Sequence, residues 1–157
     1  MGASQNARSD SLVSNTWTVT FNATELDARA QICATRDALL ANAVDTGSVG
    51  SIELALAEAI NNIVEHAYAG QPIGTIELGC SLCPTHLAIS LRDAGKAIPG
   101  GVLPDGKEQD VNVPIPDLPE GGFGWFLIRQ LTTSLAYRRN GEFNELDLGF
   151  ELPIPAP

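Results

Sequence analysis

Glu58, Asn62 and Glu65 follow one another at four- and three-residue steps, with Asn61 and His66 beside them. Turned by about 100° per residue, the first three fall within an arc of about 60°, so on a helix they share one side. Residues 50–68 contain no Lys or Arg. A solvated helix face normally mixes Glu with cations one turn away, and adjacent Asn residues are poor helix formers. Acceptor-bearing side chains without a cation of their own suit an external one. A carboxamide oxygen and a carboxylate one turn apart offer hard oxygen ligands to Mg²⁺, which completes its coordination with water and substrate phosphates. The same stripe also reads as two Asn on an exposed face or bonded to a neighbouring loop, and taken alone it does not decide between these.

Two further groups bear on that choice. Asp93-Ala94-Gly95 follows an extended run, where a glycine permits a turn that brings backbone close to a ligand; a plain Asp-x-Gly turn is the alternative. Glu120-Gly121-Gly122-Phe123-Gly124 runs into a helical segment, and glycine backbone feeding a helix N-terminus is an anion-binding arrangement. It lacks the Gly-Lys-Ser/Thr ending of a P-loop.

The elements that must position these groups follow from the hydrophobic pattern. WTVTFN at 17–22 predicts a first strand. Leu26, Ala30, Cys33, Leu40 and Val44 recur at helical steps and predict a first helix with that stripe inward. Asp45-Thr46-Gly47-Ser48 is expected to break the pattern, and a second helix to run from about Gly50 to Tyr68. Its apolar side, Ile52, Leu56, Ala59, Ile60, Ile63 and Ala67, spans about 100° and must meet a sheet. Residues 74–83 and 86–92 alternate around Pro84-Thr85 as a hairpin. The segment 94–121, with five prolines at 99, 104, 114, 116 and 119, reads as a functional lid. A third helix covers about 123–133, and 134–139 pairs with 143–152 across Asn140-Gly141. The expected fold is an α+β two-layer sandwich, a mostly antiparallel sheet covered on one face by three helices. Residues 1–15 read as a disordered polar arm, 16–153 as one domain and 154–157 as a tail.

Composition narrows the function. A chain of 157 residues with 44% hydrophobic and 18% charged residues is globular, and at this size roughly two-thirds of the extended surface is buried. Nine Lys and Arg against 19 Asp and Glu give a net charge of −10, which repels a phosphate backbone, so nucleic acid is not an expected partner. No stretch reaches the roughly 20 apolar residues of a membrane span. Three cysteines do not make a disulfide framework, and the expected location is the cytoplasm.

Taken together and in this order, the motifs resemble the ATP-binding domain shared by histidine kinases, gyrase, Hsp90 and MutL, known as the Bergerat fold. More narrowly they resemble the bacterial anti-sigma factor serine/threonine kinases. ALAEAINNIVEHAY at 55–68 is similar to that family's N-box, LRDAGKAIP at 91–99 to its first glycine box and GGFGWFLIRQL at 121–131 to its second. The resemblance spans roughly residues 17 to 152, including the closing hairpin at 137–148. It implies that Asn62 ligates Mg²⁺ bridging the phosphates of ATP, that Glu58 is the general base, and that Asp93 accepts a hydrogen bond from the adenine amino group. It further implies that Gly95 allows close approach of the base, that Gly122, Phe123 and Gly124 shape the phosphate lid, and that His66 lies near the phosphates. A hydroxyl nucleophile does need a base within hydrogen-bond reach, and phosphoryl transfer otherwise depends on positioning and charge neutralisation. One departure stands out: the superfamily's second glycine after Asp-x-Gly is Ala97 here, preceded by Lys96.

The implied activity is an ATP- and Mg²⁺-dependent serine/threonine kinase that phosphorylates a STAS-domain anti-anti-sigma factor, binds a sigma factor or response regulator, and forms a homodimer. A nucleotide-gated binding module without catalysis is the alternative; Glu58 favours the kinase, because binding needs no base. Other features carry less. Cys80 and Cys83, three apart on a strand, point to opposite faces and make a poor zinc pair. Trp125 and Phe126 are expected in the core, and Arg129 in a surface salt bridge.

Overall fold

A computed structural model describes residues 14–105 and 123–154. The polar arm up to residue 13, residues 106–121 of the expected lid, Gly122 and the last three residues lie outside them. The chain runs β1 (Asn15–Asn22), α1 (Glu25–Ala41), α2 (Thr46–Asn62), a π-helical turn (Ile63–Ala67), β2 (Thr75–Cys83), β3 (His86–Asp93), a short 3₁₀ turn (Pro99–Gly101), α3 (Phe123–Leu131), β4 (Ser134–Asn140) and β5 (Phe143–Glu151). The five strands form one sheet in the order β1-β2-β3-β5-β4, every pair antiparallel. This is the expected two-layer α+β sandwich.

Alternation fixes the buried side of the sheet. Ile76, Leu78, Cys80 and Leu82 from β2 meet Leu87, Ile89 and Leu91 from β3 and Leu146, Leu148 and Phe150 from β5 in one apolar layer. α2 lies on that layer through Ile52, Leu56, Ala59, Ile60 and Ile63, all buried, and packs against both α1 and α3. Each fully buried Leu or Ile contributes about 1.5–3 kcal/mol relative to exposure, so the helix that carries Glu58 and Asn62 is the best anchored of the three. Cys80 is buried, and burial pushes its thiol up to about 12. Cys83 is only half-buried, as expected for residues three apart on a strand.

Four local expectations need correction. α1 does not bury the stripe of Leu26, Ala30 and Leu40: Leu26 is 77% and Leu40 42% exposed. It turns Ala28, Thr35 and Leu39 inward instead, because small residues permit close approach and the Thr35 hydroxyl is satisfied by Gln31 O at 2.9 Å. The helices are separated at 42–45, and the cluster at 45–48 already starts the second one, which begins at Thr46 and not at about Gly50. Asp45 is the N-cap of α2, its carboxylate accepting from Ser48 N–H at 2.9 Å, and the Ser48 side chain together with that backbone bond holds its carboxyl below the usual range. α2 also does not continue regularly to Tyr68; its last turn widens, with Tyr68 N–H donating to Ile63 O five residues back. Finally, Asn140 pairs with Phe143, so the tight loop is Gly141-Glu142, with Gly141 at φ +62°.

Candidate functional site

The wide turn decides which polar residues of the helix converge. Regular α geometry would align Glu65 with Glu58 and Asn62, but a turn that closes on the fifth residue instead of the fourth lags in rotation. Glu65 is consequently exposed, and His66 comes round to a cavity of about 390 Å³ beside Asn62. Asn61 is exposed and lies off the cavity. Apolar walls come from Ala59, Ile63, Ile98, Pro99, Trp125 and Leu146, and the polar groups are Asn62, His66, Asp93, Lys96, Tyr137 and Asn144. A cavity of this size, mostly apolar with a few convergent polar groups, has the form of a small-molecule site.

Glu58 sits one turn before Asn62, half-buried, outside the residues that line the cavity, and makes no hydrogen bond or ion pair among the described residues. α3 approaches it closely: a Cβ on Gly124 would lie 2.7 Å from Glu58 Oε2 and 3.9 Å from Asn62 Nδ2. A side chain there would displace the end of Glu58, so glycine lets the start of α3 lie against the two side chains as they stand. Asn62 Nδ2 is buried without a partner. An orphaned buried amide is costly, and an amide's two ends are interchangeable in assignment, so Asn62 has polar capacity left for a ligand. Among the described residues no group of three or more His, Cys, Asp and Glu could hold a metal. A Mg²⁺ ion at Asn62 fits this donor set if phosphates and water supply the remaining ligands.

At the other end of the cavity, Asp93 closes β3 and is 4% exposed. Its Oδ1 accepts from Gly95 N–H at 2.9 Å and Asn144 Nδ2 at 2.8 Å. Burial raises the carboxyl's pKa, opposed by the Asn144 and Gly95 hydrogen bonds and the charge of Arg139. Oδ2 makes no hydrogen bond among the described residues. Gly95 has a reason of its own to be glycine: a Cβ there would lie 2.5 Å from Ala67 O. The turn after β3 is clamped to the π turn at this point, with Lys96 N–H donating to Ala67 O at 2.7 Å and Ala94 N–H to the Tyr68 hydroxyl at 2.9 Å. The π turn and the turn after β3, which both line the cavity, are thus bonded directly to each other.

Several residues of the site escaped the sequence reading. Asn144 stands in phase with Leu146, Leu148 and Phe150 on β5 and faces Asp93 across the β3–β5 register; a polar residue on the apolar phase was the available signal. Tyr137 and Arg139 carried no such mark. Trp125 is only partly buried and forms cavity wall. Arg129, expected in a surface ion pair, instead donates to Pro104 O at 3.0 Å and Leu103 O at 3.4 Å, holding the described end of the lid segment against α3. Phe123 begins α3, and Gly122 lies outside the described residues.

The two-layer sandwich thus sets a polar helix turn, a buried Asp at a strand end and a residue of α3 around one cavity. The sequence profile of the histidine kinase-like ATPase domain matches residues 21–150, and the chain belongs to that family. It is similar to two proteins named serine-protein kinase RsbW. The one from Oceanobacillus iheyensis is 33% identical over 85 residues, 54% of this chain and 54% of the relative. The one from Halalkalibacterium halodurans is 36% identical over 84 residues, 53% of this chain and 51% of the relative. The chain thus spans about half the length of the curated relatives it matches. A crystal structure of the RsbU and RsbW domains of Rv1364c from Mycobacterium tuberculosis shares the fold, with a TM-score of 0.63 at 20% identity over 90% of this chain and 34% of that one. No helix among the described residues is long and apolar enough to cross a membrane.

Proposed function

We propose that this protein is an ATP- and Mg²⁺-dependent serine/threonine kinase of the anti-sigma type, which phosphorylates a STAS-domain anti-anti-sigma factor and binds a sigma factor or response regulator, as a homodimer in the cytoplasm. The observation that carries the reading is the pair Glu58 and Asn62, one turn apart on α2, of which Asn62 lines a cavity that Asp93 also lines. Asp93 would accept from the adenine amino group, Asn62 and His66 would lie at the phosphates, and Asn62 would hold Mg²⁺. When bound, Mg²⁺ supplies neutralisation of phosphate charge. Glu58 takes the proton of the acceptor serine hydroxyl as that oxygen attacks the terminal phosphorus and the bond to the departing ADP breaks. A carboxylate without a partner of its own, beside an amide with capacity left for a ligand, favours this over binding alone, which has no use for Glu58.

The test is a thermal-shift titration with ADP and ATP, with and without Mg²⁺, followed by phosphate transfer to a STAS-domain protein. Nucleotide at 100 times its Kd should stabilise the fold by about 2.7 kcal/mol. No shift at millimolar nucleotide with well-folded protein would overturn the reading. Gly124→Ala probes the same geometry from α3. The added methyl meets the mobile end of Glu58 rather than backbone, so the variant is expected to fold and bind nucleotide while transfer falls by about tenfold or more, since misplacement by about 1 Å costs on the order of 10²-fold. Transfer at the wild-type rate would show that the approach of Gly124 to Glu58 is incidental.

A further inference from the structure

Asn144 lines the cavity and yet has nothing left to offer a ligand. Its Nδ2 donates to Asp93 Oδ1 at 2.8 Å, to Lys96 O at 2.9 Å and at longer range to Gly95 O at 3.3 Å. Its Oδ1 accepts from the Tyr137 hydroxyl at 2.6 Å and from Arg139 Nη1 at 3.0 Å. Three acceptors on one side and two donors on the other fix the amide's orientation; the flipped form would set donors against donors and acceptors against acceptors. The network continues outward, because the Tyr137 hydroxyl accepts from Ile98 N–H at 3.0 Å and Arg139 Nη1 also donates to Gly95 O at 2.8 Å. Asn144 and Asp93 are both buried, 5% and 4% exposed, so these bonds are largely shielded from water.

We propose that Asn144 is a positioning residue that sets the base specificity of the cavity. With Gly95 N–H it occupies Asp93 Oδ1, which leaves Oδ2 as the acceptor presented to the ligand and prevents the carboxylate from rotating to suit another one. A base with an amino group at that place donates to Oδ2; a base with a carbonyl there meets an acceptor that cannot turn away. Tyr137 and Arg139 act one step behind, by holding the amide of Asn144. This rests on the nucleotide reading above and adds to it the residue that makes adenine preferred to hypoxanthine. A purely structural role for Asn144, satisfying buried polar atoms, predicts something different: losses common to both bases cancel in their ratio.

The experiment is calorimetric titration of the full chain with ADP and with inosine diphosphate in the presence of Mg²⁺. A hydrogen bond to a charged group contributes about 1.5–3 kcal/mol, so the wild type should prefer ADP by roughly 10- to 100-fold. Asn144→Ser, too short to reach Asp93, should reduce that preference by about tenfold while inosine diphosphate binds within about threefold of wild type. Should Asn144→Ser fail to fold, Tyr137→Phe carries the test; it keeps the ring and removes the hydroxyl, and should lower the preference by about threefold. An unchanged ratio in the folded variant, or a wild type that binds both diphosphates equally, overturns the role assigned to Asn144 and leaves nucleotide binding standing. A wild type that binds neither overturns the nucleotide reading, and this inference with it.

Discussion

Glu58→Gln should reduce phosphate transfer to a STAS-domain acceptor by about 10²- to 10⁴-fold, the usual contribution of a general base, while ADP binds as it does to wild type. The two effects separate because Glu58 has no partner to lose. Its carboxylate makes no hydrogen bond or ion pair among the described residues, and Gln has the same shape and comparable helix propensity. Asn62, proposed to hold the metal, and Asp93, proposed to meet the base, keep their surroundings. Single-turnover phosphorylation measures the first quantity and calorimetric titration with ADP the second. Transfer within tenfold of wild type would remove Glu58 as the base and favour a module whose output is association alone.

The complementary result is expected from Asp93→Asn, which should lose nucleotide affinity by roughly 10²-fold and remain folded. Gly95 N–H and Asn144 Nδ2 both donate to Oδ1. They therefore hold the oxygen of the substituted amide where Oδ1 was and turn its NH₂ into the cavity. Two donors then oppose each other where the adenine amino group would bind, and the hydrogen bond to a charged acceptor is gone. Stability should hold for an electrostatic reason. The carboxyl of Asp93 is raised by burial, so the native state binds its proton more tightly than the unfolded chain. Its contribution is greatest below the ordinary aspartate pKa and declines as pH rises through the native value. The amide has no such decline. Denaturant midpoints measured from pH 4 to 7 should therefore fall less with pH in the variant than in wild type. Undiminished ADP affinity in Asp93→Asn would exclude Asp93 as the base contact.

How much of this was legible depended on whether a signal was local. The strands of the central sheet announce themselves by alternation, and the inward face of α2 by its large aliphatics, so the layers and the placement of Asn62 followed from pattern alone. α1 was misread because Ala28 and Thr35, which it buries, carry little hydrophobic weight, whereas Leu26 and Leu40, which it exposes, carry much. The cap at Asp45 was taken for a break because Asp, Thr, Gly and Ser serve turns and helix starts equally well. The site shows the same division. Asp93 and Gly95 stand together in sequence, but Asn144, Tyr137 and Arg139 reach them only through the pairing of β3 with β5 and of β5 with β4. No residue marks the widening at 63–67, and the turn to which it is clamped, after β3, lies some thirty residues away.

That widening bears on how the family's members can differ in length. A π turn is an α-helix with one residue to spare, the usual trace of a single insertion that the helix absorbed without breaking. Deleting one residue between 63 and 67 would therefore restore regular turns and leave Ala67 and Tyr68 facing the strand end they fasten, whereas the same deletion earlier in α2 would turn everything beyond it by about 100° about the axis. The length of the helix is adjustable at this one place, and the frame it shares with the sheet is not.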